Sequence, residues 1–371
     1  MNYKMVLFTM GRVVLLEAAL LVLPMAVSLL YGEKCALSFA LTILVALAVG
    51  FLLTKLCRGE HGSSSIKDGF MIVALTWIML SAIGALPFVF SREIPLYVDA
   101  FFETVSGFTT TGATILPDVE ALSRGMLFWR SFTHWIGGMG ILVFVVMLLK
   151  TPDRSINILK AEMPGPTMDK LAPKSKDTAR ILYLLYMALT VLEIVFLLLG
   201  GMSLFDSVVH ALSTAGTGGF GAYNASAANF SPYIQWVLTA FMFLFGVNFN
   251  VYFFLLMKKY AMAWRNTEVR AYFTIIAGST LIITLNILGM FPTAFDAFHH
   301  AFFAVSSVIT TTGFSTTDFD LWPQLSRCIL VLLMIVGACA GSTGGGVKVS
   351  RLVILCKALG SELRKLLHPR S

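Results

Sequence analysis

The sequence has 371 residues, of which 57% are apolar and only 13% are charged, and its formal net charge at pH 7 is +7. A soluble fold of this length cannot hide so much apolar surface, so the composition excludes an ordinary soluble protein and indicates residence in a bilayer. The positive charge does not indicate nucleic-acid binding, because the basic residues lie where membrane topology would place them.

Apolar stretches long enough to cross about 30 Å of hydrocarbon recur along the chain. We predict eight spans, at residues 5–30, 36–57, 69–90, 124–149, 179–201, 232–257, 270–291 and 327–357. The first is too long for a signal peptide and is predicted to be retained. The five cysteines are odd in number and include no C-x-x-C pair, so neither a disulfide framework nor a metal site is predicted.

The basic residues are distributed unevenly between the two sides of the predicted topology. If the N-terminus is cytoplasmic and the eight spans alternate, 22 of the 27 Lys and Arg residues fall on the inner side. The residues left outside are Lys34, Arg92, Arg124, Arg130 and Arg327. This positive-inside bias predicts a cytoplasmic N-terminus in the inner membrane.

An internal repeat occupies three of the outward-facing connections. In each copy a Ser precedes a Gly by six residues, as in Ser106–Gly112, Ser213–Gly219 and Ser307–Gly313. Residues 101–114 read FFETVSGFTTTGAT, residues 213–220 read STAGTGGF, and residues 302–315 read FFAVSSVITTTGFS. Short half-helices are predicted to start near Tyr97, Ser203 and Thr293. Because such helices cannot cross, each unit is predicted to be a span, a re-entrant loop and a span.

The Thr/Gly segments of the repeat are the predicted filter for K+. Backbone carbonyls from several loops can replace the water shell of K+, and glycine adopts the conformations that turn carbonyls inward. The predicted filter residues are Thr110, Thr111, Gly112, Thr217, Gly218, Gly219, Thr311, Thr312 and Gly313, with threonine hydroxyls as possible additional ligands. The predicted K+ ligands are Thr111, Gly112, Thr217, Gly218, Gly219, Thr312 and Gly313. The alternative is that these segments are only turns between helices.

Charged residues near the segments have two interpretations. Half-helix C-termini carry partial negative charge and would favour cations without a carboxylate. Glu103 and Asp206 lie in or next to half-helices and are predicted to tune the local field, and the alternative is an ordinary loop carboxylate. Glu17, His134 and Glu193 fall inside predicted spans, where ionisable residues are costly and often functional. A purely structural role, as a hydrogen-bond partner inside the protein, is equally consistent with the sequence.

A second glycine cluster, GACAGSTGGG at residues 337–346, interrupts the last apolar stretch. It is predicted to break the helix and to act as a gate below the third filter segment, through residues Gly341, Ser342, Thr343, Gly344, Gly345 and Gly346. The alternative is a packing kink. The spacing does not match the phosphate-binding pattern G-x-x-x-x-G-K-[ST], so nucleotide binding is not predicted here.

These motifs resemble those of the Trk/Ktr/HKT superfamily of potassium transporters, and SGFTTTGAT, STAGTGGFGAYN, ITTTGFSTTD and GACAGSTGGGVK together resemble its bacterial TrkH subgroup. The resemblance covers essentially the whole chain. It implies a pore of four linked units, selectivity centred on Gly112, Gly219 and Gly313, and an intramembrane loop that acts as the gate.

The resemblance also implies partners. These are a second copy of the chain, each protomer having its own pore, and a cytoplasmic ring of TrkA-type regulatory subunits, on which alone a nucleotide (ATP, ADP or NAD) is expected. Residues 150–180 and 364–370 form a predicted basic docking surface. The sequence contains three of the four units that the family has, and our interpretation is a truncated product; a separate polypeptide could also supply the fourth.

Taken together, the sequence predicts an all-α integral membrane fold of three repeated helix, re-entrant pore-loop and helix units plus two N-terminal spans. The predicted regions are 1–60 (peripheral spans), 61–155, 156–265 and 266–371 (repeats one to three). The predicted function is K+ uptake across the bacterial cytoplasmic membrane, with no covalent cofactor and no enzyme activity, since no catalytic constellation is present. The alternatives are a less selective monovalent-cation pathway and a non-conducting subunit.

Overall fold

The computed structural model describes residues 3–57, 66–140 and 175–367. Within these ranges the chain is helical and contains no β-strand, which confirms the all-α prediction. Two short 3-10 helices, Leu288–Met290 and Phe319–Leu321, accompany the α-helices. Numbered in chain order, the α-helices are α1 (Tyr3–Leu20), α2 (Val22–Leu30), α3 (Ala36–Leu56), α4 (Ile66–Gly84), α5 (Leu86–Ser91), α6 (Tyr97–Phe108), α7 (Arg124–Gly138), α8 (Ser175–Leu199), α9 (Leu204–Ala215), α10 (Pro232–Phe245), α11 (Phe249–Leu256), α12 (Tyr260–Trp264), α13 (Thr267–Ile287), α14 (Ala294–Ile309), α15 (Gln324–Val336) and α16 (Val349–Leu367).

Several helical stretches are long and apolar enough to cross a bilayer, where a helix satisfies its own backbone hydrogen bonds. In the described part of the chain there are five, Tyr3–Leu30, Ala36–Leu56, Lys67–Ser91, Arg180–Leu199 and Thr267–Met290. They agree with five of the eight predicted spans.

The remaining three predicted spans differ from continuous helices. The stretch 232–257 is divided into α10 and α11, which are bent by 90°, because the Asn248 side chain caps α11 by accepting from the Asn250 N–H (3.0 Å). The stretch 327–357 is divided into α15 and α16 by residues 337–348. For the stretch 124–149, α7 ends at Gly138, and residues 141–149 lie outside the described residues.

The first of two compact units consists of Met1–Met187 and Leu204–Asn224. Helices α1 and α3 pack closely in it, since a Cβ on Gly11 would lie 3.1 Å from the Gly50 carbonyl oxygen and 2.8 Å from Leu53 Cβ. Small residues at such crossings let membrane helices approach. The buried core contains large aromatic side chains, among them Phe39, Phe88, Phe108 and Trp129.

The second compact unit consists of Ala188–Ser203 and Ala225–Ser371. Its most deeply buried large side chains include Phe245, Phe249, Tyr272 and Phe303. The boundaries that the sequence repeat predicts, at residues 60, 155 and 265, stay a prediction.

Three apolar helices, α6, α9 and α14, are too short to span a membrane. They have 12, 12 and 16 residues, which corresponds to about 18 to 24 Å of rise against about 30 Å of hydrocarbon. Each begins within one residue of its predicted start. Each also has an Asp in its first turn, namely Asp99, Asp206 and Asp296, where a negative charge stabilises the helix N-terminus.

Candidate ion-binding segments

The three half-helices end in the same backbone arrangement. In each, an N–H donates to the carbonyl five residues earlier: Thr111 to Ser106 (2.9 Å), Gly218 to Ser213 (3.0 Å) and Thr312 to Ser307 (2.9 Å). This is the bond of a Schellman-type helix end, which requires a residue with positive φ just past the helix. The serine of the sequence repeat is therefore the residue whose carbonyl closes the helix.

A threonine occupies the left-handed position of each helix end, where glycine is usual. Thr110, Thr217 and Thr311 have φ values of 55°, 52° and 60°. A β-branched residue with positive φ is a genuine outlier, and such conformations cost about 1–3 kcal/mol each and cluster at functional sites. The same outlier occurs in all three copies, so it is a property of the repeat rather than of one turn.

A glycine with positive φ follows two residues after each threonine. Gly112, Gly219 and Gly313 have φ values of 76°, 82° and 90°, a region that glycine enters without steric cost. The nine residues of the three segments are thus held in irregular backbone. Among the residues that the structure describes, none of their carbonyl oxygens accepts a hydrogen bond. These oxygens remain available to a ligand.

The first and second segments contact each other within the first unit. A Cβ on Gly112 would lie 1.8 Å from the carbonyl oxygen of Gly218, and a Cβ on Gly218 would lie 2.3 Å from Nδ1 of His134. His134 also forms a 2.9 Å hydrogen bond with Ser213 Oγ and stacks on Phe220 at 4.1 Å. The predicted intramembrane ionisable residue His134 therefore supports the second segment.

A buried ion pair fixes the chain that follows both segments. Arg130 Nε donates to Glu103 Oε1 at 2.7 Å, and both side chains are at most 2% exposed. Glu103 also accepts from the Ile115 N–H (3.0 Å) and the Thr114 hydroxyl (3.0 Å). The Arg130 guanidinium lies over the Phe220 ring, 4.0 Å from its centroid. Glu103 is therefore a paired carboxylate, and its predicted role in tuning the local field stays a prediction.

The other ionisable residues singled out from the sequence differ in their burial and hydrogen bonds. Asp206 accepts from the Tyr223 hydroxyl (3.0 Å). Glu17 is 1% exposed, and neither of its oxygens has a hydrogen-bond partner among the described residues. Glu193 is also buried.

Threonine hydroxyls of the segments bond either to nearby backbone or to a neighbouring threonine hydroxyl, as Thr111 does to Thr109 and Thr312 does to Thr310 (2.8 Å each). Thr217 Oγ1 donates to the Gly216 carbonyl (2.7 Å), and Thr311 Oγ1 donates to the Thr310 carbonyl (2.6 Å). A hydroxyl that donates keeps its lone pairs, so these oxygens can still contact a cation beside the carbonyl oxygens.

The third segment contacts the glycine cluster within the second unit. We call residues 337–348 the glycine loop. The Gly345 N–H donates to Thr311 Oγ1 at 2.7 Å, and a Cβ on Gly344 would lie 2.9 Å from the Thr310 carbonyl oxygen. The loop closes on itself, since the Ala338 N–H donates to the Gly345 carbonyl (3.3 Å). All six predicted gate residues, Gly341, Ser342, Thr343, Gly344, Gly345 and Gly346, lie in this loop.

Sequence reasoning missed Arg130 and Glu268 as site residues. Arg130 was assigned only to an outer loop, and a Glu–Arg separation of 27 residues gives no signal of pairing. Glu268 lies in the first turn of α13 and accepts from the Ala340 N–H, 72 residues away, at 2.5 Å. The sequence shows only an acidic residue in the first turn of a mainly apolar helix, which does not indicate a partner 72 residues away.

Comparison with known proteins gives consistent results. A family model described as TrkH, cation transport protein, matches residues 36–371. The Trk system potassium uptake proteins TrkH of Salmonella typhimurium and Escherichia coli are each 37% identical to the chain, with 100% of this chain and 78% of the relative covered. The crystal structure of the potassium transporter TrkH from Vibrio parahaemolyticus matches with a TM-score of 0.88 at 33% identity, covering 100% of this chain and 78% of that chain.

Proposed function

The chain belongs to the TrkH family of cation transport proteins, and we propose that it takes up K+ across a bacterial membrane through the three Thr/Gly segments. The observation that supports this most strongly is their set of backbone carbonyl oxygens, which accept no hydrogen bond from the described residues. Such oxygens can replace the hydration shell of K+. The names of the relatives, potassium uptake proteins, agree with this substrate.

The preference for cations follows from the half-helices. Each segment continues directly from the C-terminal end of α6, α9 or α14, where the helix dipole places partial negative charge. Glu103 supplies no free charge, because Arg130 neutralises it. The field at the first two segments therefore comes from carbonyl dipoles, which stabilise a monovalent cation without holding it too tightly to leave.

The glycine loop is the proposed gate. It contacts the third segment directly through the Gly345–Thr311 hydrogen bond. Irregular backbone at membrane depth is tolerated only where protein buries it or where it lines an aqueous cavity. Displacement of this loop would open the inner end of the ion path.

The proposed orientation places the N-terminus in the cytoplasm and the chain in the inner membrane. It rests on the basic residues, 22 of 27 of which fall on one side of the predicted topology. Glutamates on the opposite side cap helix α7, for example Glu33, which accepts from the Arg124 N–H at 2.8 Å.

The proposed partners are a second copy of the chain and a cytoplasmic TrkA-type regulatory subunit that carries any nucleotide. The support is the family resemblance and the basic inner segments. Residues 150–174 and 368–370 of these segments lie outside the described residues.

Uptake by a bacterium that lacks its own K+ transporters tests this function. The chain spans 78% of the length of its relatives, so two proteins are compared: the chain alone, and the chain fused to the remaining 22% of a relative. We expect K+-limited growth and Rb+ influx that excess Na+ inhibits weakly, and stronger inhibition by Na+ in Gly112→Ala. Equal inhibition by Na+ would favour a less selective monovalent-cation pathway. A fused protein that reaches the membrane but carries no K+ would contradict the proposal.

A further inference from the structure

The glycine loop is anchored at both ends by one carboxylate, that of Glu268. Its Oε1 accepts from the Ala340 N–H (2.5 Å) and from the Ser350 N–H (3.2 Å). Ala340 lies in the first half of the loop, and Ser350 lies just beyond it, in the first turn of α16. This oxygen therefore helps to hold the two arms of the loop together, alongside the Val349 N–H bond to the Ala338 carbonyl (3.0 Å).

The surroundings of Glu268 suit this bond. The residue is 9% exposed, and its second oxygen accepts from the Asn248 side-chain amide at 3.4 Å. The Asn266 side chain fixes the helix start beneath it by accepting from the Glu268 N–H (3.0 Å). Hydrogen bonds to an ionised acceptor are about twice as strong as neutral ones, so this carboxylate is a stronger anchor than an amide would be.

The loop also has hydrogen bonds to groups other than Glu268. The Phe249 N–H donates to the Gly341 carbonyl (2.9 Å), and the Cys339 N–H donates to the Gly246 carbonyl (3.1 Å). Lys348 Nζ bonds the Gly344 carbonyl across the loop. These contacts hold the loop on the bend between α10 and α11, and at its tip Gly345 bonds the Thr311 hydroxyl.

We propose that Glu268 is a positioning residue that holds the glycine loop closed against the third segment. Loss of its bonds to Ala340 and Ser350 loosens the two arms of the loop. The Gly345–Thr311 bond then breaks as well, and the loop leaves the end of the third segment. This inference rests on the proposed gate, but its structural part, the anchoring of the loop, can be tested without any ion transport.

Cys339 provides a native reporter of loop position, because it lies in the loop and is 0% exposed. The exposed cysteines Cys328 and Cys356 are first replaced by serine. A water-soluble methanethiosulfonate reagent is then applied to the purified full chain, and labelling of Cys339 is followed by mass spectrometry. We expect Glu268→Gln, which keeps an acceptor but loses the charge, to label about tenfold faster, because its bonds to the Ala340 and Ser350 N–H groups become neutral bonds of about half the strength.

Two comparisons make the outcome specific. Glu362→Gln, a matched change of an exposed glutamate on α16, is expected to leave Cys339 labelling at the parental rate. Cys35 and Cys57, which are buried in the first unit, are expected to stay unlabelled in Glu268→Gln. In transport assays the same variant is expected to raise basal K+ influx without changing the inhibition by Na+.

Three results would overturn the proposal. The first is labelling of Cys339 at the parental rate in Glu268→Gln. The second is equal acceleration of labelling at Cys35 and Cys57, which would identify general loosening of the protein. The third is faster labelling of Cys339 with unchanged K+ influx in a protein that transports K+. If Glu268→Gln does not fold, Glu268→Asp keeps the charge on a shorter side chain, and we expect labelling between the two rates; parental labelling there contradicts the anchor. A protein that labels as expected but carries no K+ would contradict the proposed function alone.

Discussion

The carbonyl oxygen of Gly218 lies 1.8 Å from the position that a Cβ on Gly112 would occupy. No heavy atom of a side chain can be placed there, so the first and second Thr/Gly segments contact each other through glycine backbone. Gly313 has the same left-handed φ but no atom within 4 Å of its Cβ position. A side chain at Gly112 would therefore displace the Gly218 carbonyl, whereas a side chain at Gly313, the equivalent residue of the third repeat, would displace no atom.

This difference predicts unequal effects of the same substitution. Gly313→Ala adds only the strain of a Cβ at positive φ, about 1 kcal/mol, or a factor of about five. Gly112→Ala adds the same strain and also forces the Gly218 carbonyl to move. We expect both to reduce the preference for K+ over Na+, with the larger loss in Gly112→Ala, as measured by Rb+ influx with Na+ competition. Equal losses would contradict the contact between the segments.

Removal of one partner of the Glu103–Arg130 pair should destabilise the protein more than replacement of both partners together. Removal of one partner leaves a buried charge, so Glu103→Gln or Arg130→Met is expected to destabilise the protein by about 3–5 kcal/mol. The double variant Glu103→Gln/Arg130→Met is expected to lose much less than the sum. Thermal unfolding of the four proteins in detergent measures this. Additive losses would show that the two side chains are not coupled.

Replacement of the left-handed threonine by glycine should relieve strain. In Thr110→Gly, release of a β-branched residue from φ 55° is expected to offset the cost of added flexibility, about 1 kcal/mol, and leave the midpoint of thermal unfolding nearly unchanged. The adjacent Thr109 has an ordinary φ of −82°, and Thr109→Gly is the matched control.

We expect Thr109→Gly to lower that midpoint, because it adds flexibility and removes the Thr109 hydroxyl bond to the Val105 carbonyl (2.7 Å). An equal decrease in the two variants would mean that Thr110 is not strained.

The cap on α7 gives a prediction outside the segments. Glu33 accepts from the N–H groups of Arg124 (2.8 Å) and Gly125 (2.9 Å) at the start of this helix. Glu33→Ala should cost about 0.5–2 kcal/mol, the range for loss of a helix N-cap. Glu33→Gln, which keeps an acceptor, should cost less. The same thermal measurement distinguishes them, and an unchanged midpoint in Glu33→Ala would contradict the cap.

The sequence predicted those features that repeat locally along the chain. The six-residue spacing from Ser106 to Gly112 marks a helix end, because the Ser106 carbonyl closes the last turn. The half-helix starts were predicted within one residue, since short apolar runs mark them.

The features that the sequence did not reveal depend on contacts between distant residues. Nothing near Glu103 indicates Arg130, and nothing near Glu268 indicates Ala340, because these pairs form only when separate helices pack. The left-handed threonines were also unexpected, since residue propensity places glycine at such helix ends. Tertiary packing therefore determines the part of the site that local pattern leaves open.

The most direct test of the central claim is the location of a bound K+ analogue. Crystals of the protein, completed with the remaining part of a relative, are soaked in Rb+ and the anomalous scattering is measured. We predict Rb+ in contact with carbonyl oxygens of the Thr/Gly segments that contain Gly112, Gly219 and Gly313, and its displacement by K+ but not by equal Na+. Rb+ bound only elsewhere, or displaced equally by Na+, would contradict the assignment of these segments as a K+ filter.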